Sequence, residues 1–184
     1  MKYQTFVLRF AAGFIDGLIL MPIDLVDYWA FAPERPIGLV IVWALISFPS
    51  LWLYSVLMHG FYGQTIGKRL AGVKVLDVSE RPISMRQAFL RDSVYIGLNT
   101  IGLFRFLYFR LVGELPDTQM MNIVGYLVGY AALGWFLLEI LTTLTNKKRR
   151  ALHDFIAGTV VVRTEYIGRS ESGEIESGPH PQEA

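Results

Sequence analysis

The sequence predicts an all-α polytopic membrane protein, a bundle of about four transmembrane helices with a short two-stranded β element on its cytoplasmic face. Of its 184 residues, 53% are hydrophobic and 18% are charged. Soluble domains average about 45–50% apolar and about 25% charged residues. The apolar residues are gathered into runs of about 20, the length that crosses a bilayer as a helix. Two alternating segments, 73–77 and 159–163, indicate the strands.

The first apolar run predicts a helix over residues 6–29 and carries two charges, Arg9 near its start and Asp16 near its middle. A charge at the centre of a membrane helix costs about 2.5–3.5 kcal/mol on insertion scales, so it normally has a partner or a task. Gly13 and Gly17 form a GxxxG face on which another helix can pack closely.

A cleaved signal peptide is the alternative for this run, because Lys2 precedes it and Ala30-Phe31-Ala32 is similar to a cleavage site. The length of the run and its internal charges, Arg9 and Asp16, favour a retained membrane helix.

Two further runs predict membrane helices over residues 37–59 and 122–145. The first contains no Asp, Glu, Lys or Arg, and the second contains one acid, Glu139. Gly125 and Gly129 give the last helix a second GxxxG face. Both segments therefore have the composition of membrane spans.

The third predicted span, residues 93–113, is the weakest because Arg105 and Arg110 lie inside it. It fits either a full crossing or an interfacial helix, and we favour the crossing. Before it, the polar segment 60–92 contains the strand at 73–77 and a helix start at Ser84, with Gln87 at the third helical position.

Charge distribution predicts the orientation. The basic residues concentrate in the 60–92 loop and in the Lys147-Lys148-Arg149-Arg150 block. Basic loops stay in the cytoplasm, so four crossings with both termini cytoplasmic place both clusters inside, whereas three crossings leave one outside. We expect a bacterial plasma membrane, with one transmembrane domain at 1–163 and an acidic, disordered tail at 164–184.

Depth along the helices suggests which charges meet. At 1.5 Å per residue, Asp16 lies about 15 Å and Arg105 about 18 Å from the cytoplasmic ends of their helices, so they share a level and are able to pair. By the same estimate Arg9 groups with Glu139 and Asp154 near the cytoplasmic surface. These charges fit structural pairs that fix helix register as well as a functional site.

Other motifs point away from enzymes. The stretch Gly63–Arg69 lacks the spacing of a phosphate-binding loop and predicts a turn that places Lys68 and Arg69 on lipid phosphates. His153-Asp154 favours a local hydrogen-bonding element over an acid–base or metal pair. The chain has no cysteine, and we expect no catalytic residue, metal, cofactor or nucleic-acid partner.

Three blocks resemble the RDD family of small integral membrane proteins. In chain order these blocks are Arg9-Phe10-x-Ala12-x-x-Ile15-Asp16, Gly63-Gln64-Thr65-Ile66-Gly67-Lys68-Arg69-Leu70-x-Gly72-Val73-Lys74-Val75, and Arg149-Arg150-Ala151-Leu152-His153-Asp154-x-Ile156-Ala157-Gly158-Thr159-Val160-Val161. The resemblance implies that Arg9, Asp16 and Asp154 are the arginine and two aspartates of the family name. It also implies transport, with sodium–proton exchange proposed for some members.

Two function classes follow from the sequence. The first is an ion- or proton-coupled transporter with Asp16 at the midplane and Arg9, Asp154, Arg105 and Glu139 along the pathway, for which a homo-oligomer in the lipid bilayer is expected. The second is a non-transporting scaffold that acts through its basic cytoplasmic loop. A lipid-modifying enzyme is a distant third, because no catalytic set is present. The sequence does not name the ligand.

Overall fold

A computed structural model describes residues 2–112 and 118–167. The elements follow in the order α1 Phe6–Ala30, α2 Ile37–Tyr62, α3 Ile66–Leu70, β1 Val73–Asp77, α4 Met85–Val112, α5 Thr118–Thr145, α6 Leu152–Ala157, β2 Thr159–Arg163 and a 3-10 turn Thr164–Tyr166. The predicted architecture of long helices with a small sheet is confirmed.

Among residues 2–112 and 118–167, three helices are long and apolar enough to cross a membrane: α1, α2 and the Asn122–Thr145 part of α5. They match the spans predicted at 6–29, 37–59 and 122–145, and α1 and α2 continue through Pro22 and Pro49. Their outward surfaces are apolar, as membrane contact requires. The chain is an integral membrane protein.

Helix α4 begins in the polar segment 60–92 and continues through the predicted span 93–113. Ser84 and Gln87 form the expected capping box: the Gln87 amide donates to Ser84 Oγ at 3.2 Å, and the Ser84 amide donates to Gln87 Oε1 at 3.0 Å. From there the helix continues without a break to Val112, against α2 and α5. At its far end Arg110 donates to the carbonyls of Pro33 and Arg35, both at 2.7 Å. Helix α4 therefore runs the length of the bundle.

The two strands pair antiparallel, with Val75 opposite Val161, and form the β element that the sequence predicted. Both faces of this sheet are buried. Val75 and Val161 pack against Val56 of α2 and Ala88 of α4. Leu76 and its neighbours on the other face pack against Tyr3 of the N-terminal segment. We call this part, with α3 and α6, the sheet end of the bundle; the link 31–36 between α1 and α2 marks the opposite end.

The tail predicted at 164–184 begins with the 3-10 turn Thr164–Tyr166. The part from 168 to 184, to which most of the predicted disorder refers, lies outside the described residues. So does the stretch 113–117 between α4 and α5.

Candidate functional site

Asp154 lies at the centre of a buried charge cluster at the sheet end. Its side chain is fully buried, and Arg9 Nη1 lies 2.6 Å from its Oδ2 while Arg91 Nη1 lies 2.8 Å from its Oδ1. Arg9 comes from α1, Arg91 from α4 and Asp154 from α6, so one carboxylate ties three separate helices together. Of these contacts, the sequence analysis anticipated the approach of Arg9 to Asp154.

Two neutral donors complete the shell of Asp154. The Thr159 hydroxyl donates to Oδ1 at 3.0 Å, and the Ala151 amide donates to Oδ2 at 3.0 Å. Burial raises the pKa of the Asp154 carboxyl, but Arg9 and Arg91 outweigh burial and hold that pKa well below its ordinary value. Oδ2 accepts hydrogen bonds from Arg9 and Ala151, while Oδ1 accepts one from Thr159 and forms the ion pair with Arg91. Asp154 is therefore held ionised and has little capacity left for a ligand.

His153 extends the cluster to Glu139 of α5. Arg91 Nη2 lies 2.8 Å from His153 Nε2, and His153 Nδ1 lies 2.5 Å from Glu139 Oε1. Because a guanidinium only donates, Nε2 is the acceptor and Nδ1 carries the proton that is donated to Glu139. The Tyr95 hydroxyl donates to the other oxygen of Glu139 at 3.3 Å. The local role predicted for His153 is thus part of a longer chain from Arg91 to Glu139.

Asp16 is placed differently from the depth estimate. Its carboxylate accepts three hydrogen bonds, from the Tyr54 hydroxyl at 2.8 Å, the Thr65 hydroxyl at 2.6 Å and the Gly67 amide at 2.8 Å. Thr65 and Gly67 belong to the turn and helix α3 of the sheet end, which fold back along α1 as far as Asp16. The depth estimate compared charges on the long helices only, so it did not include the donors of this polar segment.

The suggested pairing of Asp16 with Arg105 is not formed. Arg105 lies against α5 instead: a Cβ added at Gly125 would lie 2.7 Å from its Nε. The Arg105 guanidinium carbon also lies 5.2 Å from the centre of the Phe109 ring. Equal depth in two helices does not fix which faces meet, and here the two charges point to different neighbours.

The glycine faces differ in their use. Gly125 leaves room for Arg105, whereas a Cβ at Gly13, Gly17 or Gly129 would meet nothing within 4 Å. Within the described part of the chain, no second helix therefore packs closely against Gly13 and Gly17. Use of this face between copies of the chain stays a prediction.

Helix α3 approaches α1 closely and thereby positions Lys68. A Cβ at Gly67 would lie 2.1 Å from the carbonyl oxygen of Ala12, so only glycine fits there. Thr65 caps α3 by accepting a hydrogen bond from the Lys68 amide at 3.2 Å. Lys68 then lines the interior of the bundle, while Arg69 is exposed. The prediction grouped both on lipid phosphates, but the structure places them on different surfaces.

Side chains from all six helices surround a cavity of about 640 Å³, which we call the sheet-end cavity. Its polar wall contains the following charged or ionisable residues: Arg9, His59, Lys68, Arg91, Asp92, Glu139 and His153. Its apolar wall contains Phe10 and Phe14 of α1 and Phe136 of α5, which are 51%, 70% and 46% exposed. The cavity therefore opens between α1 and α5 toward the surface that faces lipid.

Three polar groups on this wall lack partners among the described residues. Lys68 Nζ has no hydrogen bond or ion pair there. His59 is 2% exposed and its Nε2 is unbonded, as is the buried Asp92 Oδ2. Burial, with a contribution from Arg91, lowers the pKa of Lys68 to about 8. Buried polar groups without partners are rare and mark places where water or a ligand binds.

The sequence analysis did not identify His59, Arg91 or Asp92 as site residues. The sequence places His59 at the end of the predicted span 37–59, which contains no Asp, Glu, Lys or Arg, and places Arg91 and Asp92 in the polar segment 60–92. One signal was present: the helix start at Ser84 puts Ala88, Arg91 and Tyr95 on one face of a helix. Because that helix leads into the predicted span 93–113, it places Arg91 and Asp92 beside the bundle.

The chain is similar to known proteins over most of its length. The RDD family model matches residues 3–158, a range that holds the whole charge cluster. The uncharacterized protein YckC of Bacillus subtilis (strain 168) is 28% identical over 138 residues, covering 72% of this chain and 88% of YckC. No solved structure matches the chain.

Proposed function

The chain belongs to the RDD family, and we propose that it is a transporter that binds a small ligand or ion in the sheet-end cavity and couples its movement to protons or cations. The observation that carries this proposal is the cavity itself, a space of about 640 Å³ lined by charged side chains inside a membrane bundle. Ionisable groups within membrane helices are costly and usually mark ligand or ion pathways.

A row of cavities supports movement across the bundle. A second cavity, of about 270 Å³, shares Ser55, Asp92 and Tyr95 with the sheet-end cavity. A third, of about 450 Å³, shares Tyr95 and Asn99 with the second and extends to Asp27 near the opposite end. Residues of α2 and α4 line all three cavities. Movement along this row, between α2 and α4, is part of the proposal.

Glu139 and His153 are the pair to which we assign proton exchange. Both line the sheet-end cavity and contact each other, and imidazole and carboxylate groups commonly relay protons inside membranes. Asp154 is the less suitable carrier because both of its carboxylate oxygens already have partners within the protein. Asp16 acts in this proposal by fixing α3, and so Lys68, rather than by carrying the ion at the midplane.

The orientation belongs to the proposal as well. We place the sheet end in the cytoplasm, because the 60–92 loop and the 147–150 block bring lysine and arginine to this end. Both termini are then cytoplasmic, and the cavity opens toward the inner leaflet of a bacterial plasma membrane.

Flux through the reconstituted protein tests this function. Full-length protein in liposomes with an internal pH-sensitive dye is given an inward sodium or potassium gradient, and proton movement is followed. We expect flux from the wild type, at least a tenfold loss in Glu139→Gln, and no loss in Glu34→Gln, whose carboxylate is exposed in the 31–36 link. Flux no faster than in protein-free liposomes, or equal flux from Glu139→Gln, contradicts the proposal.

The scaffold hypothesis keeps one supporting observation, the exposure of three arginines at the sheet end, Arg69, Arg81 and Arg86. The rest of the 60–92 loop is largely folded against its own chain, through α3 on α1 and β1 on β2. Replacing the three arginines by glutamine discriminates the two functions. A scaffold loses a copurifying partner and the transporter keeps its flux.

A further inference from the structure

We propose that the sheet-end cavity binds a zwitterion, a molecule that carries a primary ammonium and an oxyanion a few bonds apart, with Lys68 on the oxyanion and Asp92 on the ammonium. The inference rests on the proposed function, because it names the ligand class of the same cavity. An aminophospholipid headgroup and a free amino acid share this chemistry.

The charges that remain after internal pairing carry the argument. Arg9 and Arg91 share Asp154, and Arg91 continues through His153 to Glu139, so two cations and two carboxylates form one connected network. Lys68 and Asp92 stand outside this network, one charge of each sign. They form no ion pair with each other within 4.0 Å, although the Asp92 carboxylate acts electrostatically on Lys68.

Neither group is satisfied by the protein that surrounds it. Asp92 Oδ2 is buried without a hydrogen bond, and Lys68 Nζ has none among the described residues. Asp16, the other carboxylate that acts on Lys68, already accepts three hydrogen bonds. A single negative or positive ligand would satisfy one of the two groups and repel the other, whereas a zwitterion satisfies both.

His59 supplies a second, independent pointer to a ligand. Its ring is 2% exposed, it lines the cavity and its Nε2 has no partner. A ring nitrogen in that position donates to an oxyanion or accepts from an ammonium, depending on its tautomer. Lys68, Asp92 and the His59 Nε2 atom together make a polar site with three contact points.

The apolar wall bears on the source of the zwitterion. Phe10, Phe14 and Phe136 border the cavity and also face the lipid side, so an acyl chain is able to lie along them while the headgroup reaches Lys68. A volume of about 640 Å³ lies within the range of about 300–1,000 Å³ of small-molecule sites, so it also admits a free amino acid. A lipid and a free amino acid would make the same polar contacts, but only the lipid would place an acyl chain along this apolar wall.

Binding to soluble probes tests the charge requirement. Full-length purified protein is titrated with glycerophosphoethanolamine, which carries both charges, and separately with ethanolamine, glycerol phosphate and glycine, and the shift in melting temperature is measured. We expect a saturable shift with glycerophosphoethanolamine or glycine, and at least tenfold weaker binding of the two single-charge probes. Equal binding of ethanolamine or glycerol phosphate overturns the proposal. So does a result in which neither glycerophosphoethanolamine, nor glycine, nor phosphatidylethanolamine in nanodiscs binds.

Variants assign the contacts. Lys68→Met and Asp92→Asn should each weaken zwitterion binding at least tenfold, while Lys68→Arg keeps the charge and should restore most of it. The matched controls Lys147→Met and Asp24→Asn alter exposed charges outside the cavity and should stay within twofold. Melting without ligand reports whether each variant is folded. Unchanged binding in folded Lys68→Met and Asp92→Asn overturns the assignment.

Nanodiscs distinguish the source. Stabilisation by phosphatidylethanolamine over phosphatidylglycerol, absent in Lys68→Met, identifies a lipid headgroup, whereas stabilisation by glycine without a lipid effect identifies a free amino acid. Either result supports the shared chemistry. Zwitterion binding without flux would contradict transport and leave this inference intact. Flux without zwitterion binding would contradict this inference and leave transport intact.

Discussion

The amide of Gly67 donates a hydrogen bond of 2.8 Å to Oδ1 of Asp16, although the two residues are 51 positions apart in the chain. This contact joins the first membrane helix to a short helix of the sheet end. It explains why a carboxylate inside an apolar helix is tolerated, because donors from the same chain surround it. It also fixes where Lys68, the next residue, enters the bundle.

Gly67→Ala should destabilise the protein by about 1–3 kcal/mol, the usual cost of forcing an extra methyl group into a packed site. The new Cβ would lie 2.1 Å from the Ala12 carbonyl oxygen, so α3 must move away from α1. Unfolding followed by tryptophan fluorescence in detergent measures the effect. Gly17→Ala is the matched control, since its Cβ meets nothing within 4 Å, and should be neutral or slightly stabilising. Equal stability of the two variants would show that α3 is not docked in this way.

Asp16→Ala should release the turn and α3 from α1. Three donors lose their acceptor, from Tyr54, Thr65 and Gly67, and hydrogen bonds to a charged group are each worth about 1.5–3 kcal/mol. We expect a clear fall in melting temperature and faster proteolysis near Arg69. Asp24→Ala, at an exposed site on the same helix, serves as the control. A variant as stable and as protease-resistant as Asp24→Ala would refute the anchoring role of Asp16.

Asp154→Asn should be the most destabilising single charge change in the cluster. It leaves Arg9 and Arg91 facing each other without their shared carboxylate, and breaking a buried pair costs about 3–5 kcal/mol. Glu165→Gln breaks the exposed pair with Arg163 and should change stability by less than about 1 kcal/mol. Chemical denaturation in detergent compares the two. Similar losses in both variants would mean that the buried cluster does not hold the helices together.

Stability should rise with pH between about 8 and 10.5 because of Lys68. Burial lowers the pKa of its ammonium from 10.5 to about 8. In that window the unfolded chain still holds the proton that the folded chain has released, and stability increases with pH wherever the unfolded state binds more protons. The melting temperature as a function of pH measures this, and Lys68→Met should flatten the rise. A parallel curve for the variant would exclude Lys68 as its source.

The sequence predicts the positions of the helices and strands better than the contacts between them. Helices at 37–59 and 122–145 and strands at 73–77 and 159–163 follow from local composition and alternation, and the structure reproduces them within a few residues. The pairing of Arg9 with Asp154 was within reach because both lie near the same membrane surface. Depth alone left Asp16 to Arg105 or to a ligand and did not predict the three donors that the structure provides. Depth ignores which helix face each residue occupies and where a polar loop folds.

What the sequence by itself determined is the membrane character, the positions of the apolar helices, the two strands and the charges that need a partner, because each depends on residues close in the chain. Tertiary structure decided which charges meet. It brought α3 onto α1, Arg91 to Asp154, and Lys68, His59 and Asp92 to one cavity. The hydrogen bonds of Asp16 to Tyr54, Thr65 and Gly67, of Arg9 to Asp154 and of Arg91 to His153 join residues 38 to 145 positions apart. Only the packing of the whole chain fixes the faces that the helices present to one another.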